Sequence, residues 1–148
     1  MALLQNIDPD GLFEYSVVFT DRSLNHMSQN FQGVMRSLST KLKQVYRSEG
    51  IALIPGGGTF GMEAIARQFA NDQNVLVIRN GWFSFRWSQI FSKGNITSSV
   101  KVLSASPTFE NFQAPFKPVS LDEITLYINE NKPSVVFAPH VETSAGIV

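Results

Sequence analysis

The sequence predicts an α/β fold, a partial three-layer sandwich built on a mostly parallel sheet. Two patterns and one composition figure lead there. Four short runs are apolar almost throughout, Ile51–Ile54, Asn74–Ile78, Ser99–Leu103 and Ser134–Ala138, and they alternate with stretches of helical periodicity. A strand without polar alternation is buried on both faces, as in a parallel sheet with helices on either side. The 148 residues, 43% of them hydrophobic, fit one ordinary domain with a real core.

The elements follow in order. Asp8-Pro9-Asp10-Gly11 is a turn signal, and Leu12–Thr20 alternates partially, so residues 1–27 read as an N-terminal arm and 28–148 as the domain proper. Asp21–Met27 is polar loop, and Ser28 is placed to cap a helix. Phe31, Val34, Met35, Leu38, Leu42 and Val45 recur at three- and four-residue steps, which predicts an amphipathic helix over about 29–47. Ser48-Glu49-Gly50 ends it, with glycine in the left-handed position. The strand 51–54 is stopped by Pro55, three glycines follow, and Phe60–Phe69 is a helix with Met62, Ile65, Ala66 and Phe69 on one face. The next strand, Asn74–Ile78, ends in the turn Asn80-Gly81. Phe83–Ser92 is helical and closes at Lys93-Gly94-Asn95. After the strand Ser99–Leu103, residues 104–119 are loop rich in proline and phenylalanine. Ser120 caps the helix Leu121–Asn131, with Glu123 at the reciprocal position, and Ser134–Ala138 is the last strand. A finished α/β domain continues into a helix over that strand. The sequence instead stops at Gly146-Ile147-Val148 and reads as an incomplete domain, its C-terminal remainder absent.

Composition narrows the function. Formal net charge is zero and the pI is about 6.7, which points away from nucleic acid and acidic membrane surfaces. There is no cysteine, hence no disulfide, thiolate metal site or cysteine nucleophile. The start lacks a basic region and a long apolar run, and no stretch is long enough for a membrane span, so the expectation is a cytoplasmic protein with no membrane partner. His26 and His140, the only histidines, have no second ligand at metal spacing, and no metal is expected. Twelve phenylalanines imply an aromatic core or an aromatic-lined site.

The stretch Ile51–Gln68 organises the chain. A strand that passes through Gly56, Gly57 and Gly58 into a helix aims free N–H groups at one spot, where the helix terminus adds partial positive charge. Such a junction holds a phosphate, or else merely connects two packed elements. Gly56, Gly58 and Gly61 also satisfy the dinucleotide-binding spacing. The acidic partner of that fingerprint is missing, since the next strand ends in Arg79-Asn80-Gly81, though an arginine suits a phosphorylated dinucleotide. A Rossmann-type NAD(P)-binding domain and a non-catalytic α/β phosphate-binding module therefore stand as alternatives.

Three separated blocks together resemble the class V aminotransferases, pyridoxal-phosphate enzymes of fold type I, most closely the alanine–glyoxylate and serine–pyruvate aminotransferase branch. They are Gly57-Gly58-Thr59-Phe60-Gly61-Met62-Glu63-Ala64, Asn80-Gly81-Trp82-Phe83-Ser84-Phe85-Arg86 and His140-Val141-Glu142-Thr143-Ser144-Ala145-Gly146. Asn25-His26-Met27-Ser28 also sits where the family has a His-Arg-Ser-type segment, so the resemblance covers about residues 21–148. It implies the N-terminal part of the large cofactor-binding domain, with pyridoxal 5'-phosphate as cofactor. Gly58 and Thr59 would give N–H groups to the phosphate, and Gly57 close approach. Phe83, with Trp82 adjacent, would stack on the pyridine ring. Thr143, or Ser144 if the register slips by one, would hydrogen-bond the phenolic oxygen.

The resemblance also implies small amino acid and 2-oxo acid substrates and a homodimer. Arg86 matches a family arginine, with a surface or helix-supporting role as open as a substrate one. Glu63, in the first turn of its helix, reads as a cap or packing partner. The family's Schiff-base lysine and its aspartate beneath the pyridine nitrogen lie beyond the point where this chain ends. Lys41, Lys43, Lys93, Lys101, Lys117 and Lys132 do not have that lysine's context. No catalytic residue is assigned, and the chain is expected to be inactive by itself.

Overall fold

The computed structural model describes residues 29–148. The expectations for the N-terminal arm, Ser28 and His26 lie outside them. The described residues divide into two compact units, one ending at residue 53 and the other spanning 54–148. In the first, the described helix is α1 (Gln29–Tyr46), on the predicted segment. It ends differently from the expectation. Arg47, not Gly50, takes the left-handed conformation (φ 50°), and the Ser48 amide closes back on the Lys43 carbonyl at 3.0 Å. That six-to-one closure satisfies an orphan carbonyl, which offsets the cost of about 1–2 kcal/mol for an L-residue there.

Residues 51–54 form no strand, a correction to the sequence reading. Hydrophobicity marks a segment for burial, but only a neighbouring strand edge makes it a strand, and no described strand pairs with it. The glycine run therefore lacks the preceding strand that a dinucleotide fingerprint requires.

The second unit runs α2 (Gly58–Phe69), β1 (Val75–Arg79), α3 (Trp82–Gly94), β2 (Val100–Ser104), β3 (Ser106–Pro107), β4 (Phe116–Lys117), α4 (Leu121–Asn131) and β5 (Val135–Phe137). Its main sheet is parallel in the order β2-β1-β5, with Val75 opposite both Val100 and Val135. The stretch 104–119, read as loop, contains a small antiparallel pairing of Ser106 with Lys117 and Pro107 with Phe116. Helix α4 has the predicted bounds. Its Ser120 hydroxyl accepts the Glu123 amide at 3.2 Å.

Strand β1 is apolar on both faces because both are covered. Val75 and Val77 point into a cluster with Ala66 and Ala70 from the α2 end and Ile90 and Phe91 of α3, joined by Phe137. Leu76 and Ile78 point the other way, with Leu103, against Ile124, Tyr127 and Ile128 of α4. The layers are thus α2 and α3, sheet, α4. Each buried valine, leucine, isoleucine or phenylalanine of these clusters contributes roughly 1.5–3 kcal/mol. Trp87 and Phe91 pack on Phe137 with ring centroids 4.3 and 5.3 Å apart.

Chain direction places the site. The crossover from β1 to β2 runs through α3 on one face, and that from β2 to β5 through α4 on the other. β1 is therefore the point where the winding reverses, and ligands of open α/β sheets bind in the crevice at the carboxyl ends beside such a strand.

Candidate functional site

Helix α3 starts at that crevice, after the two residues Asn80 and Gly81 that follow β1. Its N-cap position is Gly81, which has no side chain to accept the first free amides. Residues some sixty positions later do so instead. The Trp82 amide donates to Ser144 Oγ at 3.1 Å, the Phe83 amide to Glu142 Oε1 at 2.8 Å, and the Ser84 amide to Glu142 Oε2 at 2.9 Å. The Ser84 hydroxyl donates to Glu142 Oε2 at 2.6 Å and accepts the Asn80 and Gly81 amides at 2.9 and 3.1 Å. The Ser144 hydroxyl donates to Glu142 Oε1 at 2.9 Å.

Glu142 is fully buried, yet its surroundings favour the ionised form. Burial pushes its carboxyl up, but the Ser84 hydroxyl and amide, the Phe83 amide and the Ser144 hydroxyl together outweigh this and hold it below the ordinary glutamate value. The positive end of α3 favours the same charge. Gly81 is required because space is short. A Cβ there would lie 2.7 Å from Glu142 Cγ, 2.9 Å from its Cδ and 3.0 Å from Ser144 Oγ. The segment carrying Glu142 is itself closed: the Glu142 amide donates to the Ile147 carbonyl at 2.8 Å, and Gly146 turns the chain at φ 65°.

Helix α2 starts quite differently. It begins at Gly58, two residues earlier than the sequence suggested, so Gly58 and Thr59 are its first residues. Glu63 accordingly falls in the second turn, not the first, and pairs with Arg67 at 2.8 Å. Gly57 is the N-cap and supplies no side-chain acceptor. The Phe60 amide finds the Gly57 carbonyl at 2.9 Å, but no acceptor among the described residues meets the amides of Gly58 and Thr59. All three residues are exposed. The starts of α3 and α4 are filled by Glu142 and Ser120, whereas α2 offers open donors to an anion.

The short connection 70–74 runs α2 back against β1, and α2 lies beside α3. Thr59, Glu63 and Arg67 share one groove with Arg86, Gln89 and Lys93, so both helices start at the same end. Arg86 stands on this groove between the helices. Phe83 lies one turn before Arg86, is 56% exposed and has no ring partner among the described residues. Trp82, equally exposed, leans on Phe85 at 5.8 Å. A cleft of about 370 Å³ at the ends of β1 and β2 is lined by Arg79, Asn80, Trp82, Phe85, Ser104 and Phe116. A second shares Asn80, Gly81 and Phe116 and reaches Ser144 and Ala145.

Of the residues singled out in the sequence, Phe83 and Ser144 are joined through Glu142, while Thr143 is exposed beside them with a hydroxyl that has no partner among the described residues. No hydrogen bond among the described residues ties the Gly57–Thr59 turn to this cluster. Glu142 and Ser84 had no assigned role in the sequence reading. The available signal was a glycine in an N-cap position, which demands an acceptor from elsewhere. Among the described residues there is no group of His, Asp and Glu able to hold a metal, and no helix long and apolar enough to cross a membrane.

The fold defines the class: an α/β unit with a parallel sheet, matching part of an aminotransferase fold. One solved structure that it resembles is the alanine–glyoxylate aminotransferase of Nostoc sp., with a TM-score of 0.62 and 24% identity over 83% of this chain. The match covers 31% of that enzyme, so the chain spans about a third of its length. No family model matches the chain, and no curated protein sequence matches it.

Proposed function

We propose that the chain is part of a pyridoxal-phosphate-dependent aminotransferase of class V, which moves an amino group between a small amino acid and a 2-oxo acid, and that it contributes one side of the cofactor pocket. The observation that carries this reading is the pair of open amides at Gly58 and Thr59, at the same end of the helical layer as the exposed Phe83 ring.

The residues fit the group. A phosphate needs donors, and the Gly58 and Thr59 amides with the Thr59 hydroxyl supply them, while Gly57 has no Cβ to hold the anion off. A flat heteroaromatic ring needs a free apolar face. Phe83 presents one, with Trp82 as its neighbour. The Thr143 hydroxyl is free to meet a ring oxygen; that of Ser144 already serves Trp82 and Glu142. When bound, the cofactor supplies an electron sink for negative charge at the substrate Cα. The residues of this chain bind and orient it. None is assigned a proton transfer, because Lys93 stands late in α3, Lys101 over Tyr127, Lys117 in β4 and Lys132 at the end of α4. Transamination by this chain alone is accordingly not expected. Assembly as a homodimer and a cytoplasmic location belong to the same proposal.

The test is to titrate pyridoxal 5'-phosphate into the isotope-labelled chain and follow backbone amides by NMR. The Gly58 and Thr59 amides shift on binding. Phe83→Ala weakens pyridoxal phosphate by up to about tenfold through lost stacking, leaves inorganic phosphate affinity unchanged, and alters stability by less than about 0.5 kcal/mol because the ring is exposed. Absence of any response at Gly58 and Thr59 in the wild-type chain refutes the proposal.

A further inference from the structure

Glu142 is the one fully buried charged residue among those described, and beyond capping the start of α3 it has no part in the proposed cofactor contacts. Its four acceptor directions are all taken: Oε1 by the Phe83 amide and the Ser144 hydroxyl, Oε2 by the amide and hydroxyl of Ser84. These donors come from two segments far apart in sequence, the start of α3 and the turn 142–147. No cation forms an ion pair with it among the described residues. Ser144 adds a parallel link by accepting the Trp82 amide.

We propose that Glu142 is a positioning residue that locks the Phe83 end of α3 to the Thr143–Ser144 turn, so that ring and hydroxyl meet a bound cofactor at one fixed spacing. What they position rests on the pyridoxal-phosphate reading; the lock itself does not. A carboxylate is needed because only an acceptor at both oxygens serves all four donors. Glutamine has the same size, but whichever way its amide is turned, an NH2 group faces an N–H and an O–H donor. Aspartate is one methylene short of the helix. Ser84 serves the same lock by tying Asn80 and Gly81 to the carboxylate.

Two measurements test this. In the wild-type chain, NMR pH titration follows the amides of Trp82, Phe83 and Ser84. All three shift together with one midpoint below the ordinary glutamate range, because one carboxylate holds them directly or through Ser144. Separate midpoints, or no titration, overturn the lock. In Glu142→Gln, pyridoxal phosphate binds about tenfold more weakly, the scale of a lost charge-assisted contact, while inorganic phosphate binds as in wild type because the start of α2 is untouched. A general loss of fold would weaken both ligands alike. Pyridoxal phosphate affinity within twofold of wild type overturns the positioning role. If Glu142→Gln does not fold, the wild-type titration still decides the lock. If the wild-type chain does not bind pyridoxal phosphate, the cofactor reading falls, and the shared midpoint still decides Glu142.

Discussion

Replacing Gly81 by alanine tests the site architecture with a single methyl group. The backbone at Gly81 is extended (φ 173°), so alanine suffers no strain of its own, and the whole cost is contact. The new Cβ would stand 2.7 Å from Glu142 Cγ, where ordinary contact begins at 3.4 Å, so the carboxylate side chain must retreat by 3.4 − 2.7 = 0.7 Å. It has nowhere easy to go, being fully buried and held by bonds of 2.6 to 2.9 Å. A shift of that size weakens one or two charge-assisted hydrogen bonds at about 1.5–3 kcal/mol each, so the expected loss is about 2–4 kcal/mol. Gly57 and Gly61 are the controls, since a Cβ at either meets nothing within 4 Å. Gly61→Ala, inside α2, is expected to stabilise by about 0.5–1 kcal/mol. Urea unfolding followed by tryptophan fluorescence is the assay, because Trp82 and Trp87 both lie in the unit 54–148. The midpoint for Gly81→Ala falls by roughly 1–2 M. A Gly81→Ala protein within about 0.5 kcal/mol of wild type, inside the range of ordinary surface substitutions, refutes the close packing of Gly81 on Glu142.

Two further outcomes follow from the same packing. The folded Glu142 carboxyl is held below its unfolded value of about 4.3. Its contribution to stability is therefore complete above that pH and is lost as pH falls through the folded value. Urea midpoints measured from pH 6 to pH 3 should drop in that acid window, and Glu142→Gln should flatten this part of the profile; equal slopes for the two proteins count against it. Phe137→Ala removes the ring on which Trp87 and Phe91 pack at 4.3 and 5.3 Å and should destabilise by about 3–5 kcal/mol with a changed near-ultraviolet circular dichroism. A loss below about 1 kcal/mol would show that the cluster is not the core of this layer.

Much of the architecture was legible because its signals are local. Val75–Arg79 and Val100–Ser104 fall within a residue of the predicted strands, since apolar runs between turn residues have few other solutions. Helix α4 was legible to the residue, because the Ser120 cap and the Lys132-Pro133 stop mark its ends within its own sequence. The segment 51–54 misled because strand formation depends on a partner edge that no local pattern contains. The pairing in 104–119 was missed because two-residue strands leave no periodicity to read.

The site divides in the same way. The glycine-rich start of α2, the aromatic pair Trp82 and Phe83, and the polar turn at Thr143 and Ser144 were visible in the amino-acid order, because each is a short motif with its own chemistry. That Gly81 leaves α3 without a cap, and that Glu142 fills it from 59 residues away at Phe83, was decided only when the sheet brought the ends of β1 and β5 together. A buried carboxylate is tolerable only where four donors converge on it, and folding alone sets that convergence.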